Sequence, residues 1–178
     1  MTTEAVIDLA KAIGFSHVGE VAVSKLKFLP EVRNMCKSNR CQAYNKSWVC
    51  PPQCGTLEEI TQKAQQYHRG ILVQTTAQME DDFDLDTMME AEQLQKEHFF
   101  ALVDELRDSF PSLLPMAAGT CTLCKTCSYP DSPCRFPDKA FTSMEAYGLM
   151  VSDVCKQSGL GYYYGPETIT YTSCILLD

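Results

Sequence analysis

The chain has 178 residues, 45% hydrophobic content, a formal charge of −8, and ten cysteines against three histidines. That length carries a core of its own, so one domain spanning residues 1–178 is expected. The acidic balance argues against nucleic acid or an anionic membrane surface as partner, since both need clustered Lys and Arg. No apolar run approaches the about 18 residues of a spanning helix. The opening Met1-Thr-Thr-Glu-Ala-Val-Ile-Asp8 lacks the basic segment and apolar core of a signal peptide, so a cytoplasmic protein is expected.

Thr3 to Ile13 places apolar residues at helical spacing, with Gly14 to end the helix. Phe15 to Val23 reads as a short strand, and Glu31 to Ser38 as a helical turn leading into a cysteine-bearing loop. Thr56-Leu-Glu-Glu59 is a capping box, which predicts a helix to about His68. Ile71 to Ala77 reads as a buried strand after Gly70. Asp86 to Phe110 has the length and periodicity of the longest helix, with Pro111 to stop it.

Pro115 to Gly119 is a candidate third strand and is followed by a second cysteine loop. A helix is predicted from about Ser143 to Ser158, closed by Gly159. Thr168 to Leu177 is a final strand with Ile169, Tyr171, Ile175 and Leu177 on one face. The alternation predicts an α/β or α+β fold: a small sheet of about four strands covered by helices, with two cysteine-rich metal-binding loops between regular elements.

Ten cysteines without an export signal point to metal rather than to disulfides, because the cytosol keeps thiols reduced. The second quartet is Cys121-x2-Cys124-x2-Cys127-x6-Cys134, and its two consecutive two-residue spacers form a ferredoxin-like run. A [4Fe–4S] cluster is the first reading; the alternative is a structural four-thiolate zinc site, although zinc ribbons use two separated knuckles rather than one fused run. The first quartet, Cys36-x4-Cys41-x8-Cys50-x3-Cys54, is looser and has no zinc-finger spacing. All three histidines, His17, His68 and His98, lie outside both loops, which leaves pure thiolate coordination. A second [4Fe–4S] cluster is therefore expected here, with zinc again the alternative. Neighbouring clusters can exchange their fourth ligands, so the placement of Cys54 and Cys134 stays open. A radical S-adenosylmethionine site is disfavoured, because Leu57 stands where its third cysteine belongs.

The stretches from Cys41 to Gly55 and from Cys134 to Leu149 resemble a family of prokaryotic, cysteine-rich predicted metal-binding proteins of unknown function, common in anaerobes, and the similarity extends over most of the chain. The resemblance implies Cys36, Cys41, Cys50, Cys54, Cys121, Cys124, Cys127 and Cys134 as ligands. It implies no reaction.

Other residues have plainer readings. Cys155 falls on a predicted helical stripe with Met144, Tyr147 and Val151, and Cys174 lies inside the final strand, so both are expected in the core. Trp48 either shields a cluster or packs, and Arg135 and Lys46 either offset thiolate charge or are solvated. Asp82, Asp84 and Asp86 imitate the start of a calcium loop, but Thr87 replaces its glycine and Gln93 its glutamate. No histidine has a catalytic companion, and the segment Gly161 to Gly165 is a turn or a pocket wall.

The resulting expectation is an iron–sulfur protein with two [4Fe–4S] clusters, exchanging single electrons with a redox protein that offers a basic docking face. Two alternatives remain. One is a cluster-dependent reductase or reductive activator acting on a small molecule or a corrinoid-type substrate. The other is a zinc-stabilised interaction module.

Overall fold

The computed structural model describes every residue from Met1 to Asp178. In chain order the elements are α1 (Thr3–Ile13), β1 (His17–Ala22), α2 (Pro30–Met35), α3 (Leu57–Ala64), β2 (Arg69–Gln78), α4 (Leu85–Arg107), β3 (Leu113–Met116), α5 (Val151–Gln157) and β4 (Thr168–Leu177). The four strands form one sheet in the order β1-β2-β4-β3, and every pair is antiparallel. That makes the fold α+β.

The sheet is covered on both faces, so its central strands read as nearly continuous apolar runs rather than as alternations. In β2 every residue from Gly70 to Thr75 is buried, and in β4 every residue from Thr172 to Leu177. Opposed pairs divide between the faces, as the two-residue period requires. Ile71 faces Ile175 in a core with Val6, Ala10, Phe99, Leu102 and Leu106 of α1 and α4. Leu72 faces Cys174 in a second core with Ile60, Ala64, Met144, Leu149, Val154 and Cys155.

Local chemistry explains the boundaries. Thr56 and Glu59 form the capping box expected of α3, each side chain accepting from the other's backbone N–H. This helix ends at Ala64 rather than near His68, because Tyr67 turns inward and bonds Ser112 at 2.8 Å before β2 starts at Arg69. Helix α4 ends at Arg107, short of Pro111. Phe110 then folds back into the core, where Arg69 stands over its ring. Strand β3 begins two residues before the expected Pro115, and it lies at the sheet edge, where a proline N–H is not missed.

The largest correction concerns residues 143–158. Only Val151–Gln157 is α-helical. Gly148 adopts φ +85, which no continuing helix permits, and its carbonyl accepts from Leu29 N–H at 2.8 Å. A Cβ at Gly148 would also crowd the Leu29 carbonyl oxygen at 3.0 Å, besides the movable Leu57 Cδ1 at 2.8 Å, which adds to the preference for glycine. Met144, Tyr147, Val151 and Cys155 still share one core, as their spacing suggested, but a turn rather than a helix brings the first two there.

Candidate metal centre

The first cysteine loop starts at α2, which Pro30 initiates and Val32 anchors in the interior. A single 3-10 turn, Cys36–Ser38, ends at Asn39 in the left-handed conformation. The Asn39 side chain accepts from Tyr44 N–H at 3.0 Å, and Asn45 N–H donates to the Pro51 carbonyl at 2.8 Å, so the loop closes on itself. The Cys50 carbonyl then accepts from the N–H groups of Gln53 and Cys54. This turn sets Cys54 against the core beside the start of α3. Cys36, Cys41 and Cys50 line one cavity of about 680 Å³. Cys54 adjoins them, because its charge acts on both Cys36 and Cys50.

The second loop leaves the edge strand β3 at Ala117, whose N–H donates to the Thr142 carbonyl at 3.0 Å. Ser128 Oγ donates to the Pro133 carbonyl and Arg135 Nη1 to that of Thr126, bonds that fold the loop tightly. All four thiols, Cys121, Cys124, Cys127 and Cys134, line one cavity of about 200 Å³.

The first loop completes that second cavity. Ser47, Trp48 and Val49, which lie between Cys41 and Cys50, form part of its wall together with Leu123 and Phe136. Trp48 Nε1 donates to the Ser132 carbonyl at 3.1 Å, and Tyr129 meets the indole edge-on. Tyr129 in turn accepts from Gln53 and donates to Asn45. Thr120 lines both cavities, so the quartets are neighbours.

The thiols within each quartet feel one another's charge. Burial pushes Cys50 up to about 11; a Ser47 hydrogen bond opposes this, and the charges of Cys41, Cys54 and Cys36 add to it. Burial likewise raises Cys36, Cys54 and Cys121, and Cys134, Cys124 and Cys127 act on the last. Cys127 moves the other way: burial raises it, but N–H groups of Tyr129, Trp48 and Ser128 and the Ser47 hydroxyl outweigh that by donating to its sulfur. Two of those donors come from the first loop.

Sequence reasoning missed Arg33. Its guanidinium donates to the carbonyls of Ala146, at 2.9 Å, and Gly55. It also lowers Cys54, both by charge and by a hydrogen bond, although burial outweighs it. The signal was available, since Arg33 stands one turn before Cys36, but only the fold brings it to Cys54. Lys46 and Arg135 both line the second cavity.

The remaining expected features disperse. His17 stacks on Tyr164, His68 pairs with Asp178 at 2.8 Å, and His98 sits edge-on to Phe15. Asp84 caps α4 through Thr87 N–H and also accepts from Glu80 N–H, and Asp81 accepts from Phe83 N–H, so these carboxylates are occupied locally. Cys155 and Cys174 are fully buried. In the Gly161 to Gly165 segment both readings apply: Tyr164 packs and donates to Gln74, while Tyr162 lines the larger cavity. No three His, Cys, Asp or Glu side chains close into a site for a single metal ion.

The fold and its two loops define an α+β protein with two all-thiol quartets, donor sets suited to thiophilic metals. The chain belongs to the family described as predicted metal-binding protein (DUF2284), which matches residues 19–177. No curated protein and no solved structure matches it.

Proposed function

We propose that the two quartets hold two [4Fe–4S] clusters and that the protein exchanges single electrons with a larger redox system. The observation that carries this reading is the second cavity, about 200 Å³ in volume, whose lining includes all four thiols of the second quartet. That space is several times the ~30 Å³ share of one water molecule. A single zinc ion held by four thiolates at about 2.3 Å needs little room, whereas a polynuclear core needs more, and this cavity offers it. When bound, each cluster supplies a one-electron carrier.

The chain's own residues have separate tasks. Cys121, Cys124, Cys127 and Cys134 hold the second core, and Cys36, Cys41, Cys50 and Cys54 the first. N–H groups at Cys127 and the Arg33 guanidinium at Cys54 favour extra negative charge on sulfur. Trp48, Leu123 and Phe136 limit water around the second core. The net charge of −8 favours a redox partner with a basic docking face. The protein contains no helix long and apolar enough to cross a membrane, and a cytoplasmic setting fits the reduced thiols this chemistry needs.

A second reading is favoured by the larger cavity against Cys36, Cys41 and Cys50: a cluster-dependent reductase acting on a small molecule. The deciding experiment is iron, zinc and acid-labile sulfide analysis of anaerobically prepared protein. Iron and sulfide in equal amounts, with a brown chromophore, support both redox readings. A colourless protein with stoichiometric zinc overturns them in favour of an interaction module.

A further inference from the structure

The two cavities differ more than their thiols do. The cavity lined by the four thiols of the second quartet measures about 200 Å³, while the cavity on the first quartet measures about 680 Å³. The excess lies beyond the cysteine loop, against Met150, Val151 and Ser152 at the start of α5 and Tyr162 in the turn before β4. Its volume falls within the range of small-molecule sites, and more than half of its lining residues are hydrophobic, as in such sites.

Two charged side chains lie exposed on this wall without a partner in the chain. Arg33, Arg69, Arg107 and Arg135 each donate to a group of the chain. Arg40, the remaining arginine, lines the large cavity and has neither a hydrogen-bond nor an ion-pair partner. Glu145 lines the same wall, and its exposed carboxylate likewise has no partner in the chain.

We propose that this cavity binds a small organic acid with a largely apolar body, its anionic group on Arg40 and a hydrogen-bond donor on Glu145. A guanidinium left free at the edge of an apolar cavity selects a carboxylate, sulfonate or phosphate by paired hydrogen bonds. Met35 and Tyr162, both largely exposed at the rim, flank the body of the ligand. Binding rests on this wall and not on the identity of the metal. Only a reaction of the bound acid would rest on the reductase reading.

The test is anaerobic calorimetric titration of metal-loaded protein with two dyes. One is 8-anilinonaphthalene-1-sulfonate, which has an apolar body, an amine N–H and an anion. The other is N-phenyl-1-naphthylamine, which lacks the anion. The expected result is saturable binding of the sulfonate at roughly one per chain, weakened about tenfold or more by Arg40→Ala. The neutral dye should change less than about twofold in the same variant. Ser152→Trp, which places an indole in the cavity from the start of α5, should remove both. Absence of saturable sulfonate binding, or equal effects of Arg40→Ala on the two dyes, overturns the proposal. If Ser152→Trp fails to fold, the contrast between the dyes decides alone. Metal and sulfide assays on the same samples keep the outcomes separate: zinc with dye binding sinks the cluster reading and retains the site, and iron–sulfur without dye binding does the reverse.

Discussion

Trp48, two residues before Cys50 in the first loop, donates its indole N–H to the Ser132 carbonyl of the second loop at 3.1 Å. The bond joins segments 84 residues apart in the chain and makes one loop a wall of the other's cavity. The quartets are therefore mechanically coupled while their thiols remain grouped by loop, and the expected effects of substitution follow from that arrangement.

Cys121→Ser and Cys50→Ser should each remove about half of the iron and sulfide, because neither thiol lines the other quartet's cavity. The check is metal analysis beside reduced-state EPR of each variant. Loss of all iron from either substitution would mean that the quartets share one core.

Trp48→Ala should open the second cavity to water and raise the potential of the centre there, because water favours the more negative reduced state. Redox titration followed by EPR measures it. A shift of equal size at both centres would contradict the wall assignment, which places Trp48 on the second cavity.

Arg33→Met should lower the potential of the first centre by removing the cation beside Cys54. It should also cost about 1–3 kcal/mol, since the carbonyls of Ala146 and Gly55 lose their donor. Lysine should restore the charge in part but not the forked hydrogen bonds. Denaturant unfolding and the same redox titration separate the two effects.

Cys174→Ser should leave iron content unchanged and reduce stability by about 1–3 kcal/mol, because a hydroxyl replaces a fully buried thiol facing Leu72. Burial holds the Cys174 thiol far above the usual range, so it stays neutral in the core. A loss of iron in this variant would make Cys174 a ligand.

Thr56→Ala should cost about 1 kcal/mol, the usual worth of an N-cap, without altering the metal content. Urea unfolding of the loaded protein measures it. Because α3 begins directly after Cys54 and Gly55, a loss of iron would show that the helix start itself holds the first quartet in place.

Much of the fold can be read from the chain alone. Helix α1, strand β4, the capping box and both core cysteines follow from periodicity and side-chain chemistry that act over a few residues. Departures arise where a distant segment intervenes. Gly148 breaks the expected helix because Leu29 and Leu57 approach it, and Tyr67 shortens α3 because Ser112 awaits it. The grouping of cysteines by loop is open in the sequence, and the two cavities separate seven of the eight along the chain order, Cys54 lining neither.

Donor chemistry is a property of the primary structure, because ten cysteines, their spacing and the absence of histidine from both loops depend on no fold. What surrounds those thiols is set by the folded chain. Folding places Ser47 and Trp48 at Cys127, brings Arg33 to Cys54, and opens a large cavity on one quartet and a small one on the other. The difference is one of range. Thiol spacing is local, whereas charge, water exclusion and space are fixed by side chains that approach from elsewhere in the chain.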